Sequence, residues 1–317
     1  MKVVILDDYQ DCVRTLKCFD KLSQHEVTLY HDNVKELHDL VLRLQDAEAV
    51  VLTRERTRIT PALLDMLPNL KLVAQTGKVA SHVDVSACHA RGVTVTDGRG
   101  TGTATAELNL LLILASLRHL VPEVQRLQQG LWQGSLGRQL SGKKVGVLGF
   151  GRVGEAVCHL LRAFGAHPVV WGRESSLMKA KAQGYKTALS RAVFFQESDV
   201  VTLQLRLTPE TKHFVSAADL AMMKEDAVLV NVSRAELIEP GALVAALKSG
   251  RTGFAAVDVY DNEPVLGAQD PLLSLSNCLC SPHLGFVERE NYEGYFGMAF
   301  DNINAFAAGH PQNVVVS

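Results

Sequence analysis

The chain has no excess of charge of either sign. Its 32 Lys and Arg residues nearly match 34 Asp and Glu, giving a formal charge of −2 and a pI near 6.6. That balance excludes a broad basic surface and, with it, nucleic acid as a partner. Long apolar runs are also missing. The opening "MKVVILDDYQ" is cut off by Asp7 and Asp8, so it reads as a buried first strand rather than a signal peptide. The longest apolar run, "LNLLLILASLRHL", is about a dozen residues, too short for a bilayer span; it predicts a buried linking helix and no membrane partner. Cysteine is sparse. The six residues Cys12, Cys18, Cys88, Cys158, Cys278 and Cys280 lack metal-ligand spacing, so the expectation is buried free thiols in a reducing cytosol and no bound metal. Repeats, low-complexity tracts and long charge runs are absent as well.

What is present is a strand and helix alternation. At 317 residues, with 47% apolar and 21% charged residues, two globular domains are expected. In the first hundred residues "KVVILD", "EVTLYH", "AVVLT", "KLVAQT" and "VTVTD" read as strands. Helical periodicity occupies 34–44, 61–67 and 83–90 between them, with Pro61 placed at a helix start after Thr60. From Lys144 the alternation restarts with "KVGVLGFG", "HPVVWG", "DVVTLQL", "AVLVNVS", "GFAAVDVY" and "CLCSPH". Such alternation predicts an α/β protein with two doubly wound parallel sheets, each covered by helices on both faces.

The second unit carries "VGVLGFGRVGEAVCHLLRAFG", which fits G-x-G-x-x-G at Gly149, Gly151 and Gly154. The pattern is weak alone, but here a strand leads in, an amphipathic helix leads out and another strand follows within about thirty residues. Gly149 permits the tight turn, Gly151 lets backbone approach a pyrophosphate, and Gly154 lets helix and strand pack closely. The amides of Arg152 and Val153 would then stand at a helix N-terminus, where donors and dipole favour a phosphate.

Three polar residues fall where strands of the second unit end: Arg234 after "AVLVNVS", Glu263 in "DVYDNEP", and His283 closing "CLCSPH". Ligands of open α/β sheets bind at such ends. A guanidinium holds a carboxylate and carbonyl through its planar fork. Histidine exchanges a proton with the oxygen of a 2-oxo acid, and a carboxylate bonded to its ring orients it. Taken singly, each has a plainer reading: a turn residue, a helix cap, a solvated loop charge. Behind a dinucleotide turn, the three together point to catalysis.

With "GKKVGVLGFGRVG", "SDVVTLQLRLTPETKHFV", "MMKEDAVLVNVSRAELIE", "AAVDVYDNEP" and "CSPHLG", the chain resembles the D-isomer-specific 2-hydroxyacid dehydrogenases, among them D-3-phosphoglycerate dehydrogenases and glyoxylate/hydroxypyruvate reductases. The resemblance spans essentially the whole chain and implies an Arg–Glu–His triad at Arg234, Glu263 and His283. It implies that Asp258 helps hold the nicotinamide end, with Thr105, in a [VT]-A-E match, and Ser233 as further cofactor contacts. It implies a Rossmann NAD(P)-binding domain over 100–286, inserted into a flavodoxin-like substrate domain formed by 1–99 and 287–317. Hinges near Gly98–Thr103 and Leu284–Val287 and an active site in the cleft follow from the same resemblance, a homodimer is expected from it and from the apolar linking helix, and the free thiols set the expected location in the cytoplasm. Trp132, in "GLW", matches a packing or dimer position.

On the substrate side, relatives carry a loop reading roughly G-x-G-x-D-x-[IV]-D, which here is "TGKVASHVD". Thr76 and Gly77 keep its start, Val79 replaces the second glycine, and Lys78 either adds a charge for an anion or is solvated. Arg54 or Arg56, in "TRERTRIT", either reaches the substrate or is solvated too. Other departures are Gln204-Leu205-Arg206 in place of H-x-P, and Ala235 in place of a glycine. Phe286, Tyr292 and Tyr295 are candidates for an apolar substrate wall or for a helix contact. Phosphoglycerate is not the favoured substrate, because "FVERENYEGYFG" replaces the small-residue turn of its dehydrogenases.

The expected activity is reversible hydride transfer between NAD(P)(H) and a small 2-oxo acid or D-2-hydroxy acid. The alternative from another class is a non-catalytic NAD(H)-sensing interaction protein on the same fold, against which an intact triad argues. In "VVWGRES", Gly172 stands where NAD-specific members keep an aspartate. Losing that carboxylate removes the repulsion of a 2′-phosphate, and Arg173 offers a fork to bind one, with Ser175 or Ser176 beside it. Glu174 is positioned to reach the ribose hydroxyls instead. The balance favours NADP(H), or dual use, slightly over NAD(H).

Overall fold

The computed structural model describes residues 1–316; Ser317, the last residue of the expected substrate domain, lies outside them. The chain forms two compact units, one of Met1–Thr101 together with the chain from Glu288 onward, the other of Gly102–Val287.

The first unit has a five-stranded sheet built from β1 (Lys2–Ile5), β2 (Glu26–Leu29), β3 (Ala49–Leu52), β4 (Leu72–Gln75) and β5 (Thr94–Thr96). Helices α1 (Leu37–Leu44), α2 (Pro61–Asp65) and α3 (Val85–Ala90) lie between the strands. Strand order is β2-β1-β3-β4-β5 with every pairing parallel, the flavodoxin-like order. Every residue of β3 and β4 is buried, the result of covering both faces of a parallel sheet. Helix starts follow local chemistry. Thr60 Oγ1 accepts the Leu63 amide ahead of Pro61, and Asp84 accepts the Ala87 amide at 2.8 Å. A nineteen-residue helix, Arg289–Ala307, completes this unit and buries Phe296, Phe300 and Ile303.

The second unit begins with α4 (Thr103–Leu117) and α5 (Leu120–Gln128), bent by 61° at a break where His119 adopts φ +49°. The apolar run expected as one linking helix therefore stops at Leu117. From α4, Ala106, Leu110, Leu112, Ile113 and Leu117 pack into the core around Val145, Val147 and Val230. Among the described residues no single helix is long and apolar enough to cross a membrane.

There follow β6 (Lys144–Leu148), α6 (Arg152–Ala163), β7 (His167–Trp171), α7 (Glu174–Ala182), β8 (Lys186–Thr187), α8 (Arg191–Glu197) and β9 (Val200–Leu203). The unit continues with α9 (Ala217–Met222), β10 (Val228–Asn231), α10 (Ala242–Lys248), β11 (Phe254–Val257) and β12 (Cys278–Cys280). The order β12-β11-β10-β9-β6-β7-β8 is the Rossmann order with one further strand beyond β11. β8 was not anticipated: with two residues and neither buried, it has no apolar run to betray it. The order reverses between β6 and β9, whose register pairs Leu148 with Leu203. Gly149 and Gln204 therefore emerge side by side at the point where such sheets bind ligands.

Candidate active site

The turn after β6 is shaped by contacts that only glycine allows. Gly149 has φ +99°, and a Cβ there would lie 2.7 Å from the Gln204 carbonyl oxygen. Its amide donates to Trp171 O at 2.7 Å, tying the turn to the end of β7. A Cβ on Gly154 would collide with Gly149 O, so the first turn of α6 rests against the loop. Gly151 is different: a Cβ there would meet nothing within 4 Å, and as the residue ahead of α6 it supplies no capping side chain. The N-terminus of a twelve-residue helix is thereby left open to an anion, with the Arg152 and Val153 amides in its first turn. This geometry fits the pyrophosphate of a dinucleotide.

Gly172 follows β7 and abuts the same turn, its Cβ position 3.6 Å from Gly149 N and Cα. Arg173 and Glu174, at the start of α7, are both exposed. Neither side chain has a hydrogen-bond or ion-pair partner among the described residues. Glu174 in the first turn also suits the helix dipole, an adequate reason for its presence without a ligand. Gln204 donates from Nε2 to Thr202 Oγ1 at 2.9 Å, and the buried Asn109 of α4 donates to the same hydroxyl at 2.6 Å. The strand end where relatives read H-x-P is thus held by an amide pair.

Two of the three polar strand-end residues meet within the second unit, and the charge of the third, Arg234, acts on them. His283 Nδ1 lies 2.5 Å from Glu263 Oε2, and Glu263 Oε1 accepts the Tyr260 amide at 2.9 Å. Burial works against the charge on Glu263, but the hydrogen bond and charge of His283, the Tyr260 amide and the charge of Arg234 outweigh it. Its pKa falls below the usual carboxylate value. An ionised carboxylate only accepts, so the proton of the shared bond sits on Nδ1. Nε2 has no hydrogen-bond partner among the described residues, and the imidazole is about a quarter exposed, at 26%.

The histidine is held from behind. It adopts φ +53°, uncommon for a non-glycine residue, and its amide donates to Ser281 O. Asp258, fully buried, fixes the backbone on either side. One oxygen accepts Ser281 Oγ at 2.5 Å and the Leu284 amide at 2.7 Å; the other accepts the Gly285 amide at 2.8 Å. Burial raises the Asp258 pKa despite these bonds and the charge of His283. Thr105 Oγ1 donates to Gly285 O at 2.7 Å, so α4 braces the same loop. Phe286 packs edge-on to the imidazole, with ring centroids 5.3 Å apart.

Arg234 is half-buried past the end of β10, where Asn231 Nδ2 turns the chain by donating to Arg234 O at 2.8 Å. Its Nη1 donates to Ser233 O at 2.6 Å, and Ser233 Oγ clips the neighbouring strand by donating to Leu203 O at 2.7 Å. Sequence reasoning missed Tyr260 and Ser281. Tyr260 presents its amide to Glu263 and its hydroxyl to Ser281 O at 3.0 Å, while Ser281 carries the bond to Asp258. Their adjacency to "DNEP" and "PH" was the available signal, but neither residue type announces a brace.

In the first unit, Thr76 is buried and donates to Leu52 O at 2.7 Å, while its Oγ1 accepts the Arg54 amide at 2.8 Å. Gly77 has φ +89°, and the Arg54 guanidinium occupies the space a Cβ would take there. That guanidinium also lies over the Tyr295 ring, 5.2 Å from its centroid. Lys78 is exposed and paired with Asp97 at 2.8 Å, so its charge is already matched. Tyr292 is buried against Phe296, which makes it core of this unit. Cys12, Cys278 and Cys280 are half-buried and only Cys18, Cys88 and Cys158 are buried, a correction to the expectation for all six. No residue of the expected set gathers into a metal site. The one group of possible metal ligands among the described residues, Asp8, Asp11 and His31, lies elsewhere.

Residues 110–285 match the family model described as the D-isomer specific 2-hydroxyacid dehydrogenase, NAD binding domain. The chain belongs to that family. Among its relatives are a glyoxylate reductase of Thermococcus litoralis, 31% identical over 92% of this chain and 90% of the relative, and one of Aeropyrum pernix, 34% identical over 87% and 85%. A phosphoglycerate oxidoreductase of Vibrio cholerae shares the structure, with a TM-score of 0.95 and 48% identity over 98% of this chain and 99% of the other. Family membership makes the chain an oxidoreductase of the 2-hydroxyacid dehydrogenase class with a nicotinamide-dinucleotide-binding domain.

Proposed function

We propose that the chain reduces a small 2-oxo acid to its D-2-hydroxy acid, and runs in reverse as a dehydrogenase. His283 is the acid and base, Glu263 its orienting carboxylate, and Arg234 the group that binds the substrate carboxylate and carbonyl. One observation carries the reading. A histidine held at 2.5 Å by an ionised glutamate keeps its other nitrogen without a partner, in the unit that also holds an open glycine turn.

The chain's own groups divide the work. Arg234 presents a charged fork to the carboxylate and polarises the carbonyl. Glu263 fixes Nδ1 as a donor and orients the ring, so Nε2 delivers a proton to the developing alkoxide and takes it back in the other direction. Asp258, Ser281 and Thr105 hold the backbone that aims the imidazole. The dinucleotide, when bound, supplies or accepts the hydride. Gly149, Gly151, Gly154 and the Arg152 and Val153 amides are its pyrophosphate cradle in this reading, with Thr105, Ser233 and Asp258 toward its nicotinamide end. In the first unit the Thr76–Gly77 turn and Arg54 are read as an anion-holding group, with Lys78 left out because its charge is taken by Asp97.

For cofactor choice we favour NADP(H) slightly over NAD(H). The support is an exposed Arg173 without a partner beside a strand end that lacks a carboxylate. We also read the chain as a homodimer of the cytoplasm. Leu111, Leu120, Leu127, Leu131 and Trp132 present exposed apolar surface on and after α4 and α5, and Trp132 is 74% exposed. The deciding experiment follows reduced-nicotinamide absorbance with a panel of 2-oxo acids and each reduced cofactor. Turnover with at least one acid supports the reading, whereas tight cofactor binding with no turnover across the panel reduces the chain to a sensor.

A further inference from the structure

Arg54 stands in the loop after β3 with φ +58°, a left-handed conformation that is rare for a bulky side chain. Two side chains at the end of β4 hold it there. The Arg54 amide donates to Thr76 Oγ1 at 2.8 Å, and the Arg54 carbonyl accepts Gln75 Nε2 at 3.0 Å. Both backbone polar groups of the strained residue are thus answered by neighbours that are each 1% exposed. This conformation aims the side chain. The guanidinium fills the space beside Gly77, donates from Nη1 to Thr76 O at 3.3 Å and lies over the Tyr295 ring.

Gln75 is itself held by His82, in the loop before α3. The N–H groups of the Gln75 amide go to Arg54 O and, at 3.3 Å, to Thr76 O. With the amide turned round, its oxygen would face two carbonyl oxygens, so Oε1 lies toward His82. There it meets Nε2 of the buried imidazole at 3.1 Å, and that nitrogen therefore carries the hydrogen. A glutamine amide turns readily about its last torsion, and this bond stops it. The same segment grips the far end of the Arg54 loop. The Ile59 amide donates to His82 O at 2.8 Å, and the Asp84 amide donates to Ile59 O at 3.0 Å.

We propose that Gln75 and His82 are positioning residues that lock Arg54 in its left-handed conformation and so keep its guanidinium at the Gly77 turn. The proposal rests on the reading of Arg54 as part of an anion-holding group, and adds what holds that group in shape. Both residues are buried and act on the substrate only through Arg54. His82 fixes the Gln75 amide, and the Gln75 amide fixes the Arg54 carbonyl. Once that lock is lost, Arg54 relaxes to negative φ, its Cα–Cβ bond swings round and the guanidinium leaves Gly77. The lock governs how tightly the substrate anion is held, not the hydride or proton step.

The test compares the purified full-length wild type with Gln75→Met, His82→Leu and His82→Gln, the last of which keeps an N–H donor where Nε2 stood. Phenylglyoxal modification of Arg54, followed by mass spectrometry, reports on the guanidinium without any turnover. Steady-state kinetics with a 2-oxo acid report KM and kcat. Gln75→Met and His82→Leu should speed modification of Arg54 at least about fivefold and raise KM for the acid about tenfold, with kcat and dinucleotide affinity nearly unchanged. His82→Gln should return both readouts toward the wild type. Adding His82→Leu to Arg54→Ala should raise KM no further, because the two act as one unit. Unchanged modification of Arg54 in both Gln75→Met and His82→Leu overturns the proposal. So does a KM effect of His82→Leu that persists in full on the Arg54→Ala background. Faster modification together with a wild-type KM in Arg54→Ala upholds the lock and removes Arg54 from the anion-holding group. Should His82→Leu fail to fold, His82→Asn takes its place, because its shorter amide falls short of Gln75.

Discussion

His283 Nδ1 and Glu263 Oε2 stand 2.5 Å apart, although twenty residues separate them in the chain. The contact joins the end of β12 to the loop after β11, and it assigns the proton of the imidazole. Glu263→Gln keeps the size of the partner but removes its charge and, in one amide orientation, offers a donor to a donor. The expected outcome is a fall in kcat of about 10²-fold or more, with a smaller change in KM. Steady-state kinetics across pH measure both, and a wild-type kcat in this variant would remove Glu263 from the mechanism.

The same carboxylate gives a pH signature in stability. Its pKa is lowered in the folded chain from an ordinary value of 4.5, so the stability it contributes is fully present above that value. It is lost as pH falls through the folded pKa. Asp258 has the opposite sign: its folded pKa is raised, so its ionisation opposes folding as pH rises past the ordinary value of 3.8. Urea midpoints of wild type and Glu263→Gln should therefore differ most near neutral pH and converge in acid.

Arg234→Ala should cost turnover roughly 10²-fold or more while dinucleotide affinity stays near that of the wild type. Fluorescence titration of the reduced cofactor separates the two effects. A large loss of cofactor binding would instead place Arg234 at the cofactor.

Gly154→Ala puts a methyl group into Gly149 O. The turn and α6 must part, at an expected cost of about 1–3 kcal/mol in unfolding free energy and a clear loss of dinucleotide binding. Gly151→Ala, where a Cβ meets nothing, should fold as the wild type does. Thermal melts with and without cofactor compare the two.

Cofactor preference is open to a direct swap. Arg173→Ala should raise KM for NADPH about tenfold, the worth of one charge-assisted contact, and leave NADH nearly unchanged. Gly172→Asp should shift preference further toward NADH. Equal KM values for NADPH before and after Arg173→Ala would show that the side chain stays in water.

Much of this molecule was legible in one dimension because its signals are local. Apolar runs such as "AVVL" and "VLVN" mark strands buried on both faces, and the glycine spacing marks a turn whose geometry needs neighbours only a few residues away. The motifs around Arg234, Glu263 and His283 announced the family in the same way. Short or irregular elements left no such trace: β8 has two residues, and the break between α4 and α5 depends on His119 entering a left-handed conformation.

The sequence alone determined which residues are available for chemistry and which sheets they end. Tertiary structure decided who holds whom. Asp258 reaches across a strand to the amides of Leu284 and Gly285, Lys78 spends its charge on Asp97, and Cys278 meets Cys280 on one face of an edge strand. The first two pairings carry no periodicity, because strand register and loop closure bring those partners within hydrogen-bonding reach. In the third, the two-residue period sets the face, and side-chain packing sets the distance.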